Sequence, residues 1–408
     1  MPFAFRFRLY PSREQEGRML KTLEACRNLW NDALFHRRRR WEEEGKATSY
    51  NLQQWILTAE RHADSALSEV YSQTAQDVLH RLDRAFNAFF EHRTRLPKFK
   101  RHGEHGSFTY PQAYNGSVKL DVPRSRLYLS KIGNVRAVFH RPLPKDARPK
   151  TCTIIREPDD KWFASLVFEE VVPLQNVRMP PMQWPAKSPI GVDLGLQALI
   201  TTSDAEKVEH PRHLRKAETR LKRAQRVFSR KKRGSKNWFK ARQRLACLHA
   251  RVKRQRTDFN HKLSHQLVKE HDFIAFEDLR IMNILRNHAL AKSVQDAAWG
   301  QLLKFTEYKT SAVGKLTVKV PAAYSTQECY HCGTLNLVPM KVREYECTSC
   351  HWALDRDVNS ARVVLKRAFA QVGQDMPELK PVETEPLRVQ TTGHASPVLE
   401  AGTQSPQA

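Results

Sequence analysis

Acidic residues are the first scarcity in this 408-residue chain: 43 Asp and Glu stand against 69 Lys and Arg, a formal charge of +26. So large an excess repels itself unless a polyanion neutralises it, and the common polyanions are nucleic acids. An anionic membrane surface is the rival partner. It requires a lipid-anchor motif or a basic amphipathic helix at a terminus, and neither terminus carries one. Long apolar runs are missing too: no stretch approaches the roughly 18 residues needed to span a bilayer. The opening residues 1–10 alternate Phe3, Phe5, Phe7 and Leu9 with Arg6 and Arg8. That is a strand pattern, not the unbroken apolar run of a signal peptide. Cysteines number seven, four of them in two tight pairs. This suits a reducing compartment and a metal better than a disulfide framework. Cys26, Cys152 and Cys247 are isolated and read as small core or surface residues. The expectation is a soluble, intracellular nucleic-acid-handling protein, of two to four domains by its length.

Helical periodicity follows the first strand. Ser12 and Gln15 fit a capping box, and Leu20, Leu23, Trp30 and Leu34 recur at helical spacing up to the basic run Arg37 to Arg40. A second helix is predicted from Tyr50 to Arg61. A third runs from Ser72 to Arg93, with Val78, Leu79, Leu82, Phe86, Phe89 and Phe90 on one face. From Lys119 to Glu170 the period falls to two, with short strands at 127–130, 135–139, 151–155 and 162–168. Together with the first strand these can close a small barrel, the helices being an insertion in it. Five prolines between Pro173 and Pro189 mark a linker.

Beyond the linker, Gly191-Val192-Asp193-Leu194-Gly195 reads as a buried strand ending in a carboxylate, with a second strand at 198–202. Residues 212–256 carry 19 Lys or Arg and a single acid, Glu218. Two basic helices joined near Gly234-Ser235 are predicted here. Solvated charged faces usually mix signs, so a phosphate-contacting surface is preferred, with Arg223, Arg226, Arg230, Lys231, Arg251 and Arg254 as candidates. Phe273 to Glu277 is another buried strand ending in an acid, residues 294–313 a helix and 316–320 a strand. Asp355-Arg356-Asp357 opens a last helix through about Ala370. From Gly373 onward few large apolar residues remain, and a disordered tail is expected.

Two constellations carry chemistry. Cys329-x2-Cys332-x14-Cys347-x2-Cys350 sets two CxxC knuckles to converge four thiolates on Zn²⁺. With every position filled by sulfur, such a metal is structural. Redox CxxC pairs are the alternative, and His331 or His351 could replace a cysteine. The second set is Asp193 and Glu277 at strand ends and Asp357 at a helix start. Two-metal phosphodiester hydrolysis needs carboxylates converging from separate elements, because the phosphate must be reached from both sides. Singly, each acid can be a cap or a surface strand end, and Asp204, Asp278 and Asp355 are neighbours easily confused with them. Together, in the order strand, strand, helix, the three fit an RNase H-like arrangement.

Gly191 to Gly195, Ala275-Phe276-Glu277-Asp278-Leu279, the two knuckles and Asp355 to Ala361 resemble the RuvC-type nuclease and zinc ribbon of the TnpB family. That family comprises transposon-encoded RNA-guided nucleases, relatives of the type V CRISPR effectors. Arg8-Leu9-Tyr10-Pro11 and the helix from Leu82 to Phe90 are similar as well, so the resemblance covers about residues 1–370. It implies an α/β multidomain fold: a β-barrel wedge domain (1–11 and 112–175), a helical recognition insertion (12–111), a linker (176–189), a RuvC-like RNase H-fold nuclease domain (190–321 and 354–372) with an inserted zinc ribbon (322–353), and a tail (373–408). It further implies a programmable endonuclease of double-stranded target DNA, in which Asp193, Glu277 and Asp357 bind two Mg²⁺ and one Zn²⁺ holds the ribbon. A guide RNA is the implied partner; neither a membrane nor a small-molecule substrate is. The basic helices would line the guide–target heteroduplex, and Tyr50, Gln54 and Gln76 are candidates for reading a short motif beside the target. The resemblance places the protein in a prokaryotic cytoplasm, associated with the nucleoid. A nuclease-inactive RNA-guided repressor and a transposase acting on transposon ends are the alternatives.

Overall fold

The computed structural model of the protein describes residues 3–63, 65–143, 148–168, 186–339 and 342–379. The chain forms two compact units, residues 1–177 with 242–247, and residues 178–241 with 248–408.

The first unit opens with β1 (Phe3–Tyr10) and four helices, α1 (Arg13–Glu44), α2 (Tyr50–Ala63), α3 (Ser65–Glu69) and α4 (Ser72–Phe90). Six strands follow: β2 (Ser107–Tyr110), β3 (Val118–Asp121), β4 (Arg126–Leu129), β5 (Gly133–Val138), β6 (Pro149–Arg156) and β7 (Trp162–Phe168). They form one antiparallel sheet in the order β2-β6-β7-β1-β5-β4-β3, which puts the N-terminal strand in its interior. Alternation decides the faces: Phe7 and Leu9 of β1 are buried, as are Trp162, Ala164, Leu166 and Phe168 of β7. The capping box starts α1 as the sequence suggests. Gln15 N–H donates to Ser12 Oγ at 3.3 Å, and Ser12 N–H donates to Gln15 Oε1 at 3.0 Å. The apolar faces of α1 (Met19, Leu23, Leu34) and α4 (Val78, Leu79, Leu82) join the sheet in one core. Burying that many large side chains contributes about 1.5–3 kcal/mol each. One difference from the sequence reading stands out. Ser107–Tyr110 belongs to the sheet and not to the helical insertion, because Phe108 and Tyr110 are buried and the segment pairs with β6.

In the second unit, β8 (Pro189–Leu194), β9 (Ala198–Thr202) and β10 (Lys207–Glu209) precede α5 (His213–Ser229) and α6 (Lys236–Glu270). Then come β11 (Phe273–Asp278), α7 (Ile281–Ile284), α8 (His288–Ala297), α9 (Trp299–Ala312) and β12 (Leu316–Pro321). A short hairpin of β13 (Glu344–Glu346) and β14 (Ala353–Asp355) leads into α10 (Arg356–Val372). The sheet order is β10-β9-β8-β11-β12, with β8, β11 and β12 parallel and β9 and β10 antiparallel to their neighbours. The central strands β8 and β11 are buried almost throughout, as their continuous apolar runs require.

The helix expected over 294–313 is two, broken at Ala298, whose φ of 54° ends α8. Residues 176–185 of the expected linker lie outside the described residues, and Pro189 already begins a strand. At the other end the chain stays packed beyond the composition boundary at Gly373: Met376 and Leu379 lie against the core formed by Phe273, Val364, Leu365 and Phe369. Residues 380–408 of the tail lie outside the described residues. No described helix is long and apolar enough to cross a membrane.

Candidate metal centres and nucleic-acid surface

Adjacent parallel strands bring two of the three acids together. Val192 of β8 pairs with Phe276 of β11, so Asp193 and Glu277, one residue further, sit side by side on one face. Both are buried, 7% and 5% exposed. Ser360 of α10 donates its hydroxyl to Asp193 Oδ1 at 2.9 Å and also lies 3.3 Å from Glu277 Oε1. Ser325 donates to the same Glu277 oxygen. Helix α10 reaches this position because Gly191 lets it. A Cβ there would stand 2.1 Å from the Ala361 carbonyl oxygen.

Burial pushes the Asp193 carboxyl well above its ordinary range, and the charges of Glu277 and Asp357 push it the same way, while the Ser360 hydroxyl and Arg356 pull it down. Burial also raises Glu277, against the hydroxyls of Ser325 and Ser360 and the charge of Arg367. Two like charges held in a dry place are costly without a cation. The donor set, all hard oxygen, is of the kind that suits Mg²⁺.

Asp357 stands in the first turn of α10, within Coulombic reach of Asp193 but not in the same shell. Its carboxylate faces Arg343 Nη1 at 3.3 Å and Arg356 Nη2 at 3.2 Å. Among the described residues, only the four cysteines bring three or more ligand atoms within 4.8 Å of one another. The acids thus form a pair, with the third carboxylate further off and paired with two arginines. The three confusable neighbours have other occupations. Asp355 caps α10 by accepting from Asp357 N–H and Val358 N–H and pairs with Lys207 at 2.6 Å. Asp204 accepts from Ser203, and Asp278 is exposed.

The cysteine cluster is complete. Cys329 Sγ lies 3.7 Å from Cys350 Sγ, and Cys332 Sγ 3.5 Å from Cys347 Sγ. The edge of a zinc–sulfur tetrahedron with bonds of ~2.3 Å is about 3.8 Å. The Cys347 thiol is held down to about 6, by the backbone N–H of Cys350 first and of Ser349 after it, against the effect of burial. These features fit a zinc ribbon. His331 stacks on Trp352, ring centroids 5.3 Å apart, instead of replacing a thiolate.

Sequence reasoning gave no role to three residues here. Asn336, 5% exposed, donates to the Tyr345 hydroxyl at 2.7 Å and accepts from Thr348 N–H at 3.0 Å, tying one knuckle to the other. Asn359 accepts from Tyr330 N–H at 3.1 Å and donates to the Glu328 carbonyl at 2.7 Å, anchoring the ribbon to α10. Ser360 links both buried acids. The one available signal was position: Asp357, Asn359 and Ser360 all fall in the opening turn of a helix that follows the last knuckle.

Of the proposed nucleic-acid contacts, Arg223, Arg226, Arg230, Lys231 and Arg251 are exposed and have no carboxylate partner among the described residues; Arg254 is half-buried. Tyr50 is packed partly against the first unit's core, accepts from Gln54 Nε2 at 2.7 Å and meets His80 edge-on at 5.6 Å. Gln76, one turn before His80 on α4, is exposed.

Three family models match the sequence: "Probable transposase" over residues 172–288, "Cas12f1-like, TNB domain" over 299–364, and "Helix-turn-helix domain" over 1–46. The last segment is here β1 followed by one uninterrupted helix of 32 residues. A "Putative RNA-guided DNA endonuclease" of Streptomyces pristinaespiralis is 36% identical over 376 residues, 90% of this chain and 89% of that one. A protein of the same description in Escherichia coli K12, InsQ, is 30% identical over 95% of this chain and 98% of its own length. Among solved structures, the Cas12f1–sgRNA–target DNA complex has a chain that superposes with a TM-score of 0.55 at 11% identity, covering 89% of this chain and 98% of that one. That likeness is one of fold.

Proposed function

Because this chain belongs to the TnpB family of RNA-guided DNA endonucleases, we propose that it is itself an Mg²⁺-dependent, RNA-guided endonuclease of double-stranded DNA. The observation that carries this reading is the buried Asp193–Glu277 pair, bridged by a hydroxyl from the same helix turn that bears Asp357. Asp193, Glu277 and Asp357 would hold two Mg²⁺. Bound there, the ions supply charge stabilisation for the phosphate and a nucleophilic water at neutral pH, so no side-chain nucleophile is required. The protein's own part is positional. Ser360 fixes the facing oxygens of Asp193 and Glu277, and Ser325 fixes Glu277 from the other side. Arg343 and Arg356 pair with Asp357 and offset its charge.

The remaining parts follow the same reading. The seven-stranded sheet corresponds to the barrel-like wedge and α1–α4 to the recognition insertion, with Gln76 the best-exposed candidate for reading a target-adjacent motif. The four cysteines hold one Zn²⁺ that fixes the ribbon on α10. The basic α5–α6 pair contacts phosphates of a guide–target heteroduplex, which a protein holds by shape and backbone charge. The two relatives that this chain matches over most of their length, from Streptomyces pristinaespiralis and Escherichia coli, are bacterial, and a bacterial nucleoid is the proposed place of action.

The test is purification with co-expressed RNA, sequencing of that RNA, and cleavage of a matched plasmid in Mg²⁺. Asp193→Ala, Glu277→Ala and Asp357→Ala should each lower cleavage by about 10³-fold or more while target binding persists. A single mutant cutting at the normal rate removes that residue from the site. Guided binding without any cutting by the parent protein favours a repressor. RNA-independent strand joining at transposon ends favours a transposase.

A further inference from the structure

The basic helical pair ends in a feature that phosphate contact does not use. At the turn between α5 and α6, Phe228 packs on Trp238 with ring centroids 5.2 Å apart, and Trp238 meets Phe239 edge-on at 5.1 Å. Local chemistry assembles this trio. Gly234 takes φ 82° to reverse the chain, and Ser235 caps α6 by accepting from Trp238 N–H at 3.1 Å. That cap places two aromatic residues in the first turn, opposite Phe228 in the last turn of α5. Trp238 and Phe228 are half-buried against each other, but Phe239 is left 53% exposed and Val227 44% exposed. A solvated tip has no need of an outward phenyl ring. Arg230, Lys231, Lys232 and Arg233 lie in the turn, and Lys236 and Lys240 in the first turns of α6, all exposed and none with a carboxylate partner among the described residues. Between Glu218 and Asp258 the sequence has no acid at all.

We propose that this tip is a stacking platform for an unpaired base of the guide RNA, with Phe239 as the ring that meets it. The chemistry selects the partner. An apolar protein partner would have to bury six unpaired cations, which is prohibitive, whereas a polynucleotide brings its own phosphates to them. A paired duplex presents phosphates but keeps its base faces covered. Only an unpaired nucleotide offers a face to the ring and a phosphate to the lysines together. Position separates RNA from the DNA strand to be cut. Helix α5 has 17 residues, so the tip lies about 25 Å along that helix from its start, which follows edge strand β10 of the sheet that holds the carboxylates. The guide is the ligand that must reach that far while the scissile strand stays at the acids. This assignment rests on the nucleic-acid reading above but not on cleavage.

The experiment uses the full chain freed of nucleic acid, with Phe239→Ala, Phe239→Leu and the pair Lys231→Glu, Lys232→Glu. Affinities are measured over a salt series for a single-stranded RNA, the same sequence as single-stranded DNA, and a blunt RNA duplex with equal phosphates. Thermal unfolding checks that each variant folds. Both Phe239 variants should weaken single-stranded RNA by about 5- to 100-fold with unchanged salt slope and leave the duplex alone. The charge reversals should weaken all three ligands and flatten the slope by roughly 0.7–0.9 per lost contact. In the guided complex, ribonuclease protection of one loop should disappear with Phe239→Ala. Equal loss on single strand and duplex, no loss at all, or a leucine that binds like phenylalanine overturns the platform. Loss confined to DNA overturns its assignment to the guide. Inactive carboxylates with intact Phe239-dependent RNA binding would sink the nuclease reading and leave this one standing.

Discussion

Two candidate metal clusters are built differently, the cysteines from one short stretch of chain and the acids from β8, β11 and α10, far apart in sequence. The four thiols are gathered within 4.8 Å, while the three acids are a buried pair with the third partner turned to arginines. Sequence distance accounts for part of this. Each knuckle closes within four residues, its backbone N–H groups already aimed at the sulfur, as at Cys347. Charge accounts for the rest. Backbone N–H groups offset negative charge at Cys347, whereas Asp357 meets its compensating charge in Arg343 and Arg356. The lesson is that a cysteine cluster can be assembled by local turns, whereas the approach of acids from separate elements depends on how strands and a helix distant in sequence pack.

The largest effect that probes this contrast is expected at the cysteines. Cys347→Ser should lower zinc from about one ion per chain to none and expose residues 322–353 to protease, since structural zinc contributes on the order of 10 kcal/mol in small modules. Metal analysis that still finds a full zinc would mean the thiols are not its ligands. Next in size is Gly191→Ala. Its methyl group collides with the Ala361 carbonyl, so α10 must retreat from β8. The expected cost is about 1–3 kcal/mol or more, with the Ser360 bridge broken and cleavage reduced. Unchanged stability by chemical denaturation would show that α10 is less tightly seated than this distance implies.

A smaller effect tests the electrostatics of the acid pair. Burial raises Asp193, so between its ordinary value and the raised one the folded protein holds a proton the unfolded chain has lost. Stability of the metal-free protein therefore falls as pH rises through that window. Asp193→Asn removes the penalty. In chelator its Tm should exceed the parent's at about pH 7.5, with the gain vanishing below about pH 3.5 where both forms are neutral. A variant no more stable at neutral pH would mean the pair is already compensated. The smallest change is expected from Arg343→Gln, which frees one side of Asp357. Loss of an exposed ion pair is worth roughly 0.2–1 kcal/mol, so Mg²⁺ binding should tighten by about 1.5- to 5-fold. Weaker binding would make Arg343 a positioning residue and not a competitor.

Much of this molecule was legible in its sequence, for local reasons. Alternation announced β1 and β7, the Ser12–Gln15 box announced α1, and two CxxC spacings announced the ribbon, because each is decided within a few residues. The acids at the ends of β8 and β11 were visible as strand ends. What tertiary structure alone decided was pairing and approach. Four-residue β2 looked like part of the helical region until β6 gave it hydrogen bonds. Ala298 ends α8 in a left-handed turn that periodicity does not record, and Met376 and Leu379 sit in a polar stretch of sequence yet pack on the core of Phe273, Val364, Leu365 and Phe369. The roles of Ser360, Asn359 and Arg343 depend on neighbours between 14 and 167 residues away. Sequence determines which groups a segment offers. Only the folded chain decides which distant group answers them, because a contact's energy belongs to both partners and the sequence displays one at a time.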